Sequence, residues 1–157
     1  MRALRWLRGG LLFFAAAEAL IGVWAQGWPR SFYTDFPLPG HRWVANLPSY
    51  NEHVLRDFGG LNLALAVVFG VAAVTLHPVL VRAVLAGYLV FAVPHLVFHL
   101  NHLQPFGRTD AAAQTVALTA VAVLPMALLA LTRPPASRSR RDPGPGTRPQ
   151  HPRRTRP

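Results

Sequence analysis

Residues 79–100 read VLVRAVLAGYLVFAVPHLVFHL, an apolar run with one arginine near its start and two histidines near its end. About 20 such residues are enough for a helix to cross the ~30 Å hydrocarbon core of a bilayer. Three further runs have the same character, so that four candidate spans cover residues 4–24, 54–76, 79–100 and 111–131. None alternates with the period of two that a transmembrane barrel requires. The sequence predicts an all-α fold, an integral membrane four-helix bundle over residues 1–131.

The composition of the 157 residues agrees with a membrane domain. Charged residues make up 14% of the chain, whereas average soluble proteins contain about 25%. No cysteine is present, which excludes disulfides, thiolate metal sites and cysteine nucleophiles. Neither a G-x-S-x-G motif nor a glycine-rich phosphate loop occurs. Nothing here favours a hydrolase or a nucleotide enzyme, and the sequence leans against an enzyme.

The arginines predict the orientation, because positive charges accumulate on the cytoplasmic side of a membrane protein. One side receives the C-terminal tail together with Arg2, Arg5, Arg8 and Arg82, and the other receives Arg30, Arg42, Arg56 and Arg108. We therefore expect both termini in the cytoplasm and the protein in the inner (plasma) membrane. The first span contains Glu18 and lacks a good cleavage site, which favours a retained anchor over a signal peptide.

Two segments lie outside the spans. Residues 27–49 form a long outer loop rich in aromatic residues and proline, which predicts either a lid over the bundle or a belt at the membrane interface. Residues 132–157 hold eight arginines and seven prolines, which predicts a disordered basic tail in the cytoplasm. Such arginines attract anionic lipid headgroups. No nucleic acid is expected as a partner, because no aromatic residues alternate with the arginines, and self-association stays open.

Local motifs predict where helices begin and where they approach each other. Ser49 to Glu52 matches a capping box, so the second long helix is expected to begin near Tyr50. Thr109 or Asp110 is expected to cap the last helix. Close helix contacts are predicted by two small-residue motifs of the second span, Gly60-x-x-x-Ala64 and Ala66-x-x-x-Gly70.

A row of three histidines, His95, His99 and His102, follows Pro94 at helical spacing. At 100° per residue all three fall within one narrow stripe of the helix. Ionisable groups are costly inside a bilayer, so such a row points to a function. Counting 1.5 Å per residue, polar residues of the other three spans reach the same outer half of the membrane. These are Glu18, His53, Arg56, Asp57 and Gln114.

Three interpretations of these polar residues stay open. As a ligand site, His95 and His99 with His53 and Asp57 could bind a divalent metal. In the same interpretation, His53 and either His95 or His99 could hold haem b, or a histidine could donate to a quinone while Glu18 or Asp57 moves protons. As a structural cluster, Arg56 would pair with Asp57 or Glu18 and the histidines would bond to the backbone. Ion or proton transport is the third, weakened by the small size and the lack of an internal repeat.

Two strings, YNEHVLRDFG from Tyr50 to Gly59 and PHLVFHLNH from Pro94 to His102, resemble motifs that recur in small bacterial four-span membrane proteins. The overall plan, with its long first outer loop, is similar to that of the DoxX-like group. This resemblance covers residues 1–131 and implies a four-helix bundle in the cell membrane. Members of that group associated with redox chemistry favour a quinone- or thiol-related function, although a chain without cysteine lacks the thiol. The resemblance identifies no active-site residue in this chain.

Overall fold

The structure, a computed structural model, describes residues 2–132. Within this range it contains no strand and five helices, which are α1 (Arg2–Gly27), α2 (Pro29–Asp35), α3 (Glu52–Thr75), α4 (Pro78–Leu100) and α5 (Arg108–Leu131). The four long helices match the four predicted spans. The short α2 was not expected, since it lies in a segment predicted to be a loop. The predicted disorder of residues 133–157 concerns a segment outside the described residues.

The four long helices are each long and apolar enough to cross a membrane. Many large apolar side chains on their outer faces are exposed, among them Leu61, Val67 and Val90. Soluble proteins rarely expose large contiguous apolar surfaces, and here lipid covers them. The chain is therefore a multi-pass membrane protein in contact with the bilayer, which confirms the membrane part of the prediction.

The long helices alternate in direction, so the bundle has two distinct ends. We call the end with α2 and the following segment the loop end, and the end with the start of α1 and the end of α5 the termini end. At the termini end Arg8 donates to the carbonyl of Ala73 at 3.2 Å, and Arg82 donates to the carbonyl of Thr132. α1 packs mainly on α3 and α4 mainly on α5, whereas α3 and α4 contact each other little.

An aromatic cluster fills the middle of the bundle. Its three rings, Phe14, Phe69 and Tyr88, come from three different helices, with centroid distances of 5.1 Å, 4.9 Å and 5.4 Å. On the termini side of the cluster the core is apolar and includes Leu7, Leu11, Ala72, Ala73, Val81, Leu85 and Leu128. The buried polar side chains Glu18 and Gln114 belong to the loop-end half. The asymmetry agrees with the sequence, which places few polar residues in the other half.

The closest approach of α1 and α3 is at two glycines, Gly22 and Gly59. A Cβ atom on Gly59 would lie 2.5 Å from the backbone nitrogen of Gln26 and 2.9 Å from the carbonyl oxygen of Gly22. The small-residue motifs predicted this contact at the wrong positions. Gly60 would bring its Cβ no closer than 3.8 Å to a neighbour, and Gly70 has open space around it. The contact face of α3 is therefore turned by one residue from the predicted one.

The starts of α3 and α5 also differ from the expected caps. Asn51 is the N-cap of α3, and its side-chain oxygen accepts a hydrogen bond from the amide of Val54 at 3.2 Å. The predicted capping box from Ser49 is therefore wrong, because the helix begins at Glu52 and the asparagine oxygen already serves its first turn. The N-cap of α5 is Gly107, with no side-chain cap, and Asp110 has other partners.

Candidate functional site

Glu18 of α1 is the one carboxylate that the described structure buries, at 3% exposure. The hydroxyl of Tyr88 on α4 donates to its Oε1 atom at 2.7 Å, while Oε2 has no hydrogen-bond partner among residues 2–132. A buried carboxyl group is costly unless hydrogen bonds replace its water, and this one is only half satisfied. Glu18 therefore lies beside the aromatic cluster with one oxygen available for a proton or a ligand.

The structural interpretation paired Arg56 with Asp57 or Glu18, and this prediction is wrong. Arg56 instead contacts Glu52, one turn earlier on the same helix, at 2.9 Å, and also donates to the carbonyl of Gln26. All these atoms are at the exposed loop end. Because Glu52 was predicted to complete the capping box, it was not predicted as the partner of the Arg56 guanidinium.

His95 and His99 lie together on α4, with ring centroids 4.5 Å apart. Both are half-buried, and the His95 ring stacks on Phe91 at 4.9 Å with an angle of 22° between the planes. Gln114 of α5 is buried next to His99. Neither Nδ1 of His99 nor Oε1 of Gln114 has a hydrogen-bond partner among the described residues. The geometry thus brings together part of the predicted polar set, with unmet hydrogen-bonding capacity.

His102 does not belong to this group. It is exposed, its Nδ1–H donates to the carbonyl of Phe98 at 2.7 Å, and its ring stacks on that phenylalanine at 4.1 Å. The third histidine of the row is therefore bonded within its own helix.

His53 and Asp57 pair with each other but lie away from the other predicted ligands. Their contact is 3.2 Å, and their side chains are 83% and 63% exposed. Because Asp57 precedes the buried Gly59 by two residues, it lies about 200° around the helix from the packed face of α3. Within residues 2–132 no three His, Asp or Glu side chains lie close enough to hold a metal ion. The grouping of His53 and Asp57 with His95 and His99 is therefore not formed.

A groove runs between α3 and α4 in the loop-end half of α3. These two helices are joined by Leu76 and His77 alone, yet they contact each other little along their length. The resulting cavity has a volume of about 390 Å³ and is lined by Phe58, Leu61, Asn62, Ala64, Leu65, Val68 and Phe91. Its one polar lining residue, Asn62, donates to the carbonyl of Phe58 at 2.7 Å. Phe91, against which His95 stacks, is the one lining residue that α4 supplies.

The segment after α2 is attached to α5 by two side chains that the sequence did not single out. The indole Nε1–H of Trp43 donates to Oδ1 of Asp110 at 3.1 Å, and Nδ1 of His41 lies 2.6 Å from the same oxygen. Asp110 was expected as a helix cap, and His41 was not among the predicted site residues. No local pattern links residues so far apart in the chain, so only the tertiary structure reveals this contact.

Comparisons with known proteins add no family to this geometry. No family model, no curated protein and no solved structure matches the chain. The resemblance to DoxX-like proteins stays a prediction.

Proposed function

We propose that the protein binds a lipid-soluble quinone in the groove between α3 and α4, with His95 as the hydrogen-bond donor to a quinone carbonyl. The observation that carries the proposal is the stack of His95 on Phe91, because Phe91 also lines the groove. The His95 ring thus lies directly behind a ring that lines the cavity, whose other lining residues are apolar except for Asn62.

The groove suits the two parts of a quinone. Its volume of about 390 Å³ is within the usual range of ~300–1,000 Å³ for ligand pockets. Apolar residues of α3 would contact the isoprenoid tail, and the planar head would lie near the Phe91 ring. An imidazole N–H is a good donor for a carbonyl oxygen.

Among the three ligand types predicted from sequence, a quinone needs the fewest protein groups. A metal site would need a third ligand beside His95 and His99, and His53 and Asp57 face elsewhere. Haem b would require His53 as an axial ligand, whereas its side chain is 83% exposed. The proposed role is binding, and Tyr88 with Glu18 lies one aromatic ring beyond Phe91 as a group able to hold a proton.

The experiment is a titration of the full chain in lipid nanodiscs with a short-chain ubiquinone, followed by quenching of tryptophan fluorescence. Saturable binding is expected for the wild type. Ala64→Phe should abolish it by filling the groove, while Val116→Phe, at a 70% exposed position of α5, should leave it unchanged. His95→Leu should weaken binding about tenfold, the value of one hydrogen bond. Equal binding by Ala64→Phe and Val116→Phe would contradict the groove as the site.

We also propose an orientation in the inner membrane. The termini end lies in the cytoplasm, and the loop end faces outward. Support comes from Arg8 and Arg82, which both bond to carbonyls at the termini end and add to the basic residues there. A reporter that works only in the cytoplasm should be active when fused after Leu131. Activity of a periplasmic reporter at that position would reverse the orientation.

A further inference from the structure

A second cavity lies at the loop end, separate from the groove. Its volume is about 320 Å³, and it is lined by Trp28, Pro29, Arg30, Ser31, Tyr50, Glu52 and Arg56. Two of these residues are arginines and one is a glutamate, so the pocket carries an excess of positive charge. None of its residues takes part in the proposed quinone site.

The two arginines differ in how far their charge is neutralised. Arg56 contacts the carboxylate of Glu52 at 2.9 Å and also donates to the Gln26 carbonyl. Arg30 lies over the ring of Tyr50, 5.5 Å from its centroid, and has no carboxylate partner within the described part of the chain. A cation on an aromatic face keeps its N–H groups free for an anion. Arg30 therefore presents an uncompensated guanidinium to the pocket.

The depth of the pocket indicates what kind of anion it meets. α1 has 26 residues and is about 39 Å long at 1.5 Å per residue, which exceeds the ~30 Å hydrocarbon core. The pocket lies just beyond the last turn of α1, where the phospholipid headgroups lie. Trp28, which is 63% exposed, and Tyr50 are residue types enriched at this interface.

We propose that this pocket binds the phosphate of an anionic phospholipid headgroup, with Arg30 as the principal contact. A guanidinium can donate two parallel hydrogen bonds to phosphate oxygens. The hydroxyl of Tyr50, which contacts Glu52 at 3.4 Å, lies at the same wall. Partial burial and the nearby Glu52 carboxylate raise the pKa of the Tyr50 phenol, and its one O–H is donated to that carboxylate. The site lies at the opposite end of the bundle from the last turn of α5.

The test uses native mass spectrometry of the detergent-purified full chain with added phosphatidylglycerol, phosphatidylcholine or inorganic phosphate. The wild type should retain phosphatidylglycerol. Arg30→Gln should lower its retention about tenfold, and Arg30→Glu further. Arg42→Gln is the matched control, since it removes the same charge at the same end from a residue outside the pocket. Far-ultraviolet circular dichroism checks that each variant is folded.

Equal retention of phosphatidylglycerol by Arg30→Gln and Arg42→Gln would overturn the proposal. Binding of inorganic phosphate as tight as that of the lipid would also overturn it, because the site would then take a free anion. Equal retention of phosphatidylcholine would refute the preference for an anionic headgroup. These outcomes are independent of quinone binding, which Arg30→Gln should leave unchanged.

Discussion

Replacing Gly59 with alanine introduces a methyl group where α1 and α3 are closest. The new Cβ would lie 2.5 Å from the Gln26 nitrogen and 2.9 Å from the Gly22 oxygen, and both are backbone atoms. Ordinary contact with a Cβ begins at 3.4 Å, so the helices must separate by roughly 1 Å to relieve the overlap. Overpacking of this kind usually costs about 1–3 kcal/mol.

Gly70→Ala provides the matched control for this prediction. Gly70 is on the same helix and would meet nothing within 4 Å. Both variants gain the same helix propensity, at most about 1 kcal/mol in soluble helices, so their difference isolates the steric cost. We expect Gly59→Ala to be less stable than Gly70→Ala by about 1–3 kcal/mol in the free energy of unfolding.

The measurement is unfolding by sodium dodecyl sulfate in mixed micelles, followed by circular dichroism. Gly59→Ala should unfold at a lower mole fraction of the denaturing detergent than either the wild type or Gly70→Ala. Coincident unfolding curves for the two variants would refute the close approach at Gly59.

The same unfolding assay checks two further contacts. Tyr88→Phe should cost about 1–3 kcal/mol, because it leaves both oxygens of the buried Glu18 without a partner, and an equal loss in a Glu18→Leu background would contradict that coupling. Asn51→Ala should lower the free energy of unfolding by about 1 kcal/mol, because α3 loses its N-cap. A comparable loss from Ser49→Ala would instead support the predicted capping box. Asp110→Ala should speed hydrogen–deuterium exchange in the segment between α2 and α3, and unchanged exchange would exclude its role as an anchor.

The long helices could be predicted because hydrophobic length alone determines a membrane span. The same rule does not detect α2, whose seven residues are mixed in character and begin at Pro29. Its formation depends on burial of Pro29 and Phe32 against the rest of the bundle, which no single-sequence pattern reveals. The segment between two spans therefore looks like a loop until the tertiary structure is known.

The candidate site could be predicted only in part, because helical spacing gives a shared face but not its direction. Of the predicted stripe, His95 and His99 lie side by side with Gln114 next to His99, whereas His102 bonds within its own helix. His53 and Asp57 also share a face, yet that face points outward. Whether the His53 and Asp57 face points inward or outward depends on how α3 is rotated about its axis. That rotation is set by the contact of Gly59 with α1.

The aromatic cluster has a consequence for the permeability of the membrane. Phe14, Phe69 and Tyr88 leave almost no exposed surface at the centre of the bundle, so they form a closed aromatic layer there. A molecule that reaches Glu18 must leave by the side from which it came, or through the lipid. In this conformation we expect the aromatic layer to block the passage of ions and water through the bundle.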